Sequence, residues 1–157
     1  MNESAHVEAV QAGVLESAGL GRETCLRLLA TRRTGRVLFT EAAMPAALPA
    51  RYVIEGDAVV FRSASTSLLA RTAVGRVLGF QVDDIDSESA TGWTVLGLGQ
   101  AYAIVDPGVL AALAPRMQLR PAGDVPMRTL GIPLQRLTGS YLRTNGPLLL
   151  GAPARNE

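Results

Sequence analysis

Between Arg62 and Ser67 the chain sets one guanidinium and four hydroxyls, Ser63, Ser65, Thr66 and Ser67, within six residues. That combination can hold an anion. Asp57 to Phe61, following the Glu55-Gly56-Asp57 turn signal, reads as a strand, and residues 66–73 read as a short helix. The first N–H groups of a helix lack partners and carry the positive end of its dipole, so a phosphate there would gain hydrogen bonds and favourable charge. Arg62 adds a fork of donors. The competing account is plain capping by Ser65 or Thr66, with Arg62 as a solvated strand end.

Other chemistry has little material. The single cysteine, Cys25, lies in the apolar pattern of a predicted helix with Leu28 and Leu29, as a buried structural thiol would. It excludes an intrachain disulfide framework and a multi-cysteine metal site. The one histidine, His6, is in a polar N-terminal segment, which leaves no basis for a histidine triad or a multi-histidine metal site. Asp83, Asp84, Asp86 and Glu88 cluster, but their setting in DDIDSESATG is that of a solvated turn.

The elements that must position Arg62 and its hydroxyls follow from periodicity. Glu23 to Arg32 is an amphipathic helix, and residues 1–20 before it form an N-terminal arm. Strands are expected at 36–40, 47–55 and 57–62, with Pro45 and Pro49 marking a bend or an edge. Others follow from residue 75, near 127–132 and at 137–143. Trp93 to Val105 is the longest strand candidate, and one of its faces, Val95, Gly97, Gly99, Ala101 and Ala103, is nearly bare. A tightly coiled sheet or a flat ligand would each explain that face. Asp106-Pro107 opens a helix through Ala114 as N-cap and first helical residue. The tail 146–157 is peripheral.

The 157 residues, 48% hydrophobic, suffice for one core, and 15 basic against 14 acidic side chains give a net charge of +1. No nucleic-acid or membrane footprint appears, and no apolar run reaches the roughly 20 residues of a membrane span. A soluble, cytoplasmic protein is expected. About six strands with brief connections and short helices point to a mainly β, α+β fold, a six-stranded antiparallel barrel with flanking helices.

With these segments in order, residues 23–142 resemble the pyridoxamine 5′-phosphate oxidase-like superfamily of FMN-binding split barrels. The resemblance rests on ECLRLLATRRTGRVLFT at 23–40, LPARYVIEGDAVVFRS at 48–63, TSLLA at 66–70, GRVLGFQVDDID at 75–86 and TGWTVLGLGQAYAIVDP at 91–107. It implies a split-barrel domain over 21–145 and a homodimer whose two subunits form the groove for FMN or, in some branches, F420 or heme. With His6 the sole imidazole, heme is disfavoured. Carried over by position, the phosphate-binding segment falls on Arg62, Ser63 and Ser67. Ala50, Arg51 and Tyr52 would lie beside the ring, and Trp93 and Thr94 near the ring or the phosphate, unless Trp93 is a core anchor.

Two positions depart from the pattern of FMN-binding relatives. Leu68 stands where a phosphate-binding Lys is common, and Arg51 where Asn often precedes the Tyr. Losing one charge-assisted contact costs about 1.5–3 kcal/mol, or about one to two decades in Kd; Arg51 restores the charge if it points into the same groove. The resemblance implies an FMN-dependent oxidoreductase acting on a small molecule, in which the cofactor carries the chemistry. The alternatives are an F420- or other small-molecule-binding barrel without turnover, using Arg51, Arg62 and Arg71, and a barrel that only mediates association.

Overall fold

The computed structural model describes residues 16–117, 123 and 125–143. Nine strands run in chain order: β1 (Glu16–Gly19), β2 (Thr34–Glu41), β3 (Met44–Glu55), β4 (Ala58–Ala64), β5 (Val77–Ile85), β6 (Gly92–Gln100), β7 (Tyr102–Ile104), β8 (Met127–Pro133) and β9 (Arg136–Arg143). Three helices intervene: α1 (Arg22–Ala30), α2 (Leu68–Thr72) and α3 (Pro107–Arg116). The hydrogen-bonded order is β1-β9-β6-β5-β2-β3-β4-β8-β7, antiparallel throughout and not closed. This is the mainly β, split-barrel architecture expected, with nine strands in place of six.

The interior is filled from alternate positions. Val37, Tyr52, Val59, Phe61, Phe80, Val82, Val95, Leu130 and Ile132 share one buried cluster, and α1 adds Cys25 and Leu29. Tyr52 and Phe80 meet edge to face at 4.8 Å. A second, smaller cluster lies on the outside of the sheet, where Val60 meets Leu113 and Met117 and is flanked by Val53 and Ile104. Tyr52 and Phe61 therefore point inward while Val53 and Val60 point outward under α3. This alternation decides where the site residues go.

Three local features differ from the sequence reading. The strand expected over 93–105 breaks at Ala101: β6 pairs with β5 and β9, whereas β7 pairs with β8. Ala101 itself exchanges backbone hydrogen bonds with Gly75 and Arg76 at 2.9 and 2.8 Å, so the chain changes neighbours there without losing its pairing. The bare face of β6 is filled by the chain itself, since a Cβ on Gly99 would come within 1.7 Å of the Pro133 carbonyl oxygen and one on Gly97 within 2.3 Å of Leu134. The coiled-sheet explanation holds.

The hairpin β2–β3 was not anticipated in full. It closes at Glu41 opposite Met44, with Ala42 and Ala43 both at positive φ, so β3 begins at Met44 and runs through both prolines. The Tyr52 N–H bonds back to the Arg33 carbonyl at 3.0 Å. Positions 45 and 49 thus face the opposite side, where β4 pairing begins only at Tyr52, and their missing N–H groups are not needed. The predicted arm also contributes, as Glu16–Gly19 pairs with β9; residues 1–15 and the tail 146–157 lie outside the described residues.

α3 follows the expected grammar. The Asp106 carboxylate accepts from the Val109 N–H at 2.9 Å, and Pro107 occupies the first turn. No helix among the described residues is long and apolar enough to cross a membrane.

Candidate functional site

The run from Arg62 to Ser67 ends β4 and enters α2 through Ser67, whose Oγ accepts from the Ala70 N–H at 3.0 Å. Ser67, not Ser65 or Thr66, is the N-cap. α2 has five residues against the eight expected for 66–73, too few for a substantial dipole. The hydroxyls of Ser63 and Ser67 are 2.8 Å apart and hydrogen-bonded. What remains to attract an anion is the charge of Arg62 and the free capacity of that hydroxyl pair.

Arg62 is the anomaly of the site. The residue is half-buried, and its Nε is out of solvent with no hydrogen-bond partner. A buried donor left without an acceptor costs about 1–3 kcal/mol, and arginine cannot shed its charge to avoid it. An oxyanion beside Arg62 would relieve that cost. Its cross-strand partner is Thr129, which is 7% exposed and the one buried polar residue among those described.

Arg128 is a contributor the sequence reading missed. It lies opposite Ser63 in the β4–β8 pair and donates from Nη1 to the Ala70 carbonyl at 2.7 Å, bracing α2. Nothing in the neighbourhood of residue 128 signals this, because the pairing of two strands far apart in sequence creates it.

The remaining candidates divide between the faces of the sheet. Ala50 and Tyr52 point inward; the Tyr52 hydroxyl donates to the Leu29 carbonyl at 2.5 Å, and burial raises its pKa well above the ordinary tyrosine range. At Tyr52, only the backbone lies at the surface of the site. Arg51 takes the outward position one step from Val53, as Arg62 does from Val60, and Tyr52 is opposite Phe61. The two arginines thus occupy the next positions of paired strands on one outer face.

Arg51 also lines a groove of about 380 Å³ between the C-terminal ends of α1 and α3 and the outer side of β3. Ser63, Ser67 and Leu68 are not among its walls. Trp93, 9% exposed, belongs to the barrel core, whereas Thr94 faces outward and accepts from Gln81 Nε2 at 3.4 Å. β6, which carries both, is not paired with β3 or β4 in this protomer.

The Asp83–Glu88 cluster is occupied with structure. Asp86 Oδ1 accepts from the Ser89 N–H at 2.7 Å, the Ser89 hydroxyl at 2.9 Å and the Glu88 N–H at 3.0 Å, and these bonds lower its pKa. Asp83 and Asp84 pair with Arg36 and Arg32. Among the described residues, no group of three or more His, Cys, Asp or Glu could hold a metal ion.

Comparison with known proteins decides the family. A family model described as pyridoxamine 5′-phosphate oxidase matches residues 21–139, most of the chain. The protein belongs to that family. Within the pyridoxamine 5′-phosphate oxidase fold, it is similar to an FAD-binding protein from Mycobacterium smegmatis, with 27% identity and a TM-score of 0.67 over 82% of this chain and 98% of that one. An FAD- and heme-binding protein from the same organism shares the fold at 20% identity, with a TM-score of 0.64 over 82% of this chain and 75% of that one. The uncharacterised protein Rv0080 of Mycobacterium tuberculosis is 36% identical over 101 residues, 61% of this chain and 66% of the relative, just under two thirds of its length.

Proposed function

We propose that this protein binds a flavin nucleotide in a groove completed by a second copy of the chain, and that it acts as a flavin-dependent oxidoreductase on a small molecule. The observation that carries the reading is the unpartnered, buried Nε of Arg62 at the end of β4, the strand that runs on into the hydrogen-bonded hydroxyls of Ser63 and Ser67. A phosphate is the group whose geometry a guanidinium fork matches. Flavin-binding proteins among the structural neighbours support the same choice of ligand.

In this reading Arg62, Ser63 and Ser67 hold the phosphate of FMN, the cofactor the sequence resemblance implies. The backbone from Ala50 to Tyr52 lies along the ring, with Tyr52 locked by its bond to Leu29 so that the strand carrying it cannot shift. Thr94, which faces outward from a strand not paired with β3 or β4, would come from the other subunit. Bound flavin supplies hydride or electron transfer, which explains a site without an acid–base or nucleophilic constellation. The protein's tasks are to bind, orient and shield.

A second copy also has a surface to meet. On the outer face of β2, β5 and β6, Leu38, Leu96 and Leu98 lie in neighbouring cross-strand positions, and an apolar groove of about 440 Å³ runs beside them past Ala47 and Val77, the latter 69% exposed. An apolar surface of this kind on a small domain favours association.

The second reading, an F420-binding barrel without turnover, rests on Arg51, Arg62 and Arg71, whose charges suit a longer anionic tail. Arg62→Ala is the test that bears on the phosphate site. It should weaken flavin binding at least tenfold in an absorbance titration and leave the melting temperature nearly unchanged. Unaltered affinity per folded molecule would make Arg62 structural and remove the anchor.

A further inference from the structure

Arg62 and Ser63 are consecutive on β4, so their side chains leave opposite faces of the sheet and Arg62 reaches the end of the strand from the side that Ser63 turns away from. The cation on the Ser63 side is Arg128, directly opposite on β8. Residues that oppose each other across an antiparallel pair share a face, with Cβ atoms about 5 Å apart. The Arg128 guanidinium is held in turn by α2, since Nη1 donates to the Ala70 carbonyl at 2.7 Å. The Ala70 N–H donates to Ser67 Oγ at 3.0 Å, and Ser67 Oγ meets Ser63 Oγ at 2.8 Å. Ser63, Ser67 and Arg128 are thus tied together through a single residue of α2.

Each member keeps donor capacity. Two hydroxyls joined by one hydrogen bond leave one O–H over, whichever of them donates. Arg128 forms no ion pair among the described residues, and its fork has more N–H groups than the Ala70 carbonyl can occupy. The elements that meet there offset none of this charge: β4, α2 and β8 carry Arg62, Arg71 and Arg128 and no Asp or Glu. Leu68, the first residue of α2 and 37% exposed, adds no charge of its own. We propose that Arg128 is a phosphate ligand in the flavin site of this chain, supplying from β8 the positive charge on the hydroxyl side, with its bond to Ala70 aiming the fork at the anion that Ser63 and Ser67 also bind. This rests on the flavin reading above. A guanidinium braced in this way loses little freedom on binding, and its planar fork matches two phosphate oxygens. The brace also makes Arg128 part of the fold, so its loss can act through α2 as well as through the anion. Riboflavin separates the two effects, because it has the ring of FMN without the phosphate.

The experiment is an absorbance titration of the full-length protein with FMN and with riboflavin. Arg128→Gln should raise the Kd for FMN at least tenfold and that for riboflavin less than twofold. Arg128→Lys, which keeps the charge and loses the fork, should fall between wild type and Arg128→Gln for FMN. Arg76→Gln, which removes an exposed charge outside β4, α2 and β8, should change FMN affinity less than twofold. Equal losses for the two ligands in Arg128→Gln would leave Arg128 a brace for α2 alone and overturn the proposal. Unchanged FMN affinity in that variant, with wild type binding, overturns it too and leaves the flavin reading standing. Wild-type protein that binds neither ligand overturns the flavin reading and this proposal with it, so the two failures are distinct.

Discussion

Tyr52, which the resemblance sets beside a cofactor ring, has a structural role of its own. Alternation along β3 turns its side chain into the barrel, where the hydroxyl donates to the Leu29 carbonyl and the ring packs on Phe80. Tyr52→Phe should therefore cost stability, about 1 kcal/mol for the lost hydrogen bond, and hardly alter flavin affinity. Burial holds its pKa above that of an unfolded chain, with Arg32 opposing the shift. The associated stability is present in full below the unfolded value of about 10 and is lost as pH rises toward the folded one. Chemical denaturation across pH 9 to 11 should show wild-type stability falling above about pH 10, with a shallower fall in Tyr52→Phe. Arg62 is the complementary case, since its residue type was legible and its orphaned Nε was not. Burial of a single atom depends on strands β4 and β8 meeting, which no local pattern encodes.

At the level of elements, legibility followed the strength of local signals. Asp106-Pro107 marked a helix start, and Gly56 marked a hairpin that closes at Glu55 opposite Ala58. The β2–β3 turn carried no such mark. Its two central residues are alanines at φ 47° and 64°, where Asn or Gly is usual, so the strand seemed to begin later than it does. Ala43→Gly should stabilise the protein by about 1 kcal/mol, having removed a left-handed alanine. Gly99→Ala should do the opposite and cost about 3 kcal/mol or more, because the new methyl would meet the Pro133 backbone. Thermal denaturation of the two variants checks both signs. The glycine also explains why 93–105 looked continuous: period two persists through Ala101, while the pairing partner changes from β5 to β8, and a partner is not visible in alternation.

For the whole molecule, the order of segments was more informative than any one segment, and it pointed to the split barrel before any strand count could. The count fell short because β1 and β7 are four and three residues long, below the length at which alternation is distinct. The proposed flavin groove is completed by a second copy, for which the apolar outer face of β2, β5 and β6 offers a surface. Light scattering at micromolar concentration should find a dimer, and Leu98→Asp should shift it to monomer with loss of flavin affinity. A wild-type monomer would remove the composite groove.

The central claim is that this chain holds a flavin. The measurement that tests it most directly is an absorbance titration of the purified protein with FMN, repeated with FAD and F420. A saturable change in the flavin band at one equivalent per protomer is the predicted result. No saturable binding of FMN or FAD, by protein shown to be folded and dimeric, would contradict the account, and F420 binding alone would transfer it to the deazaflavin reading.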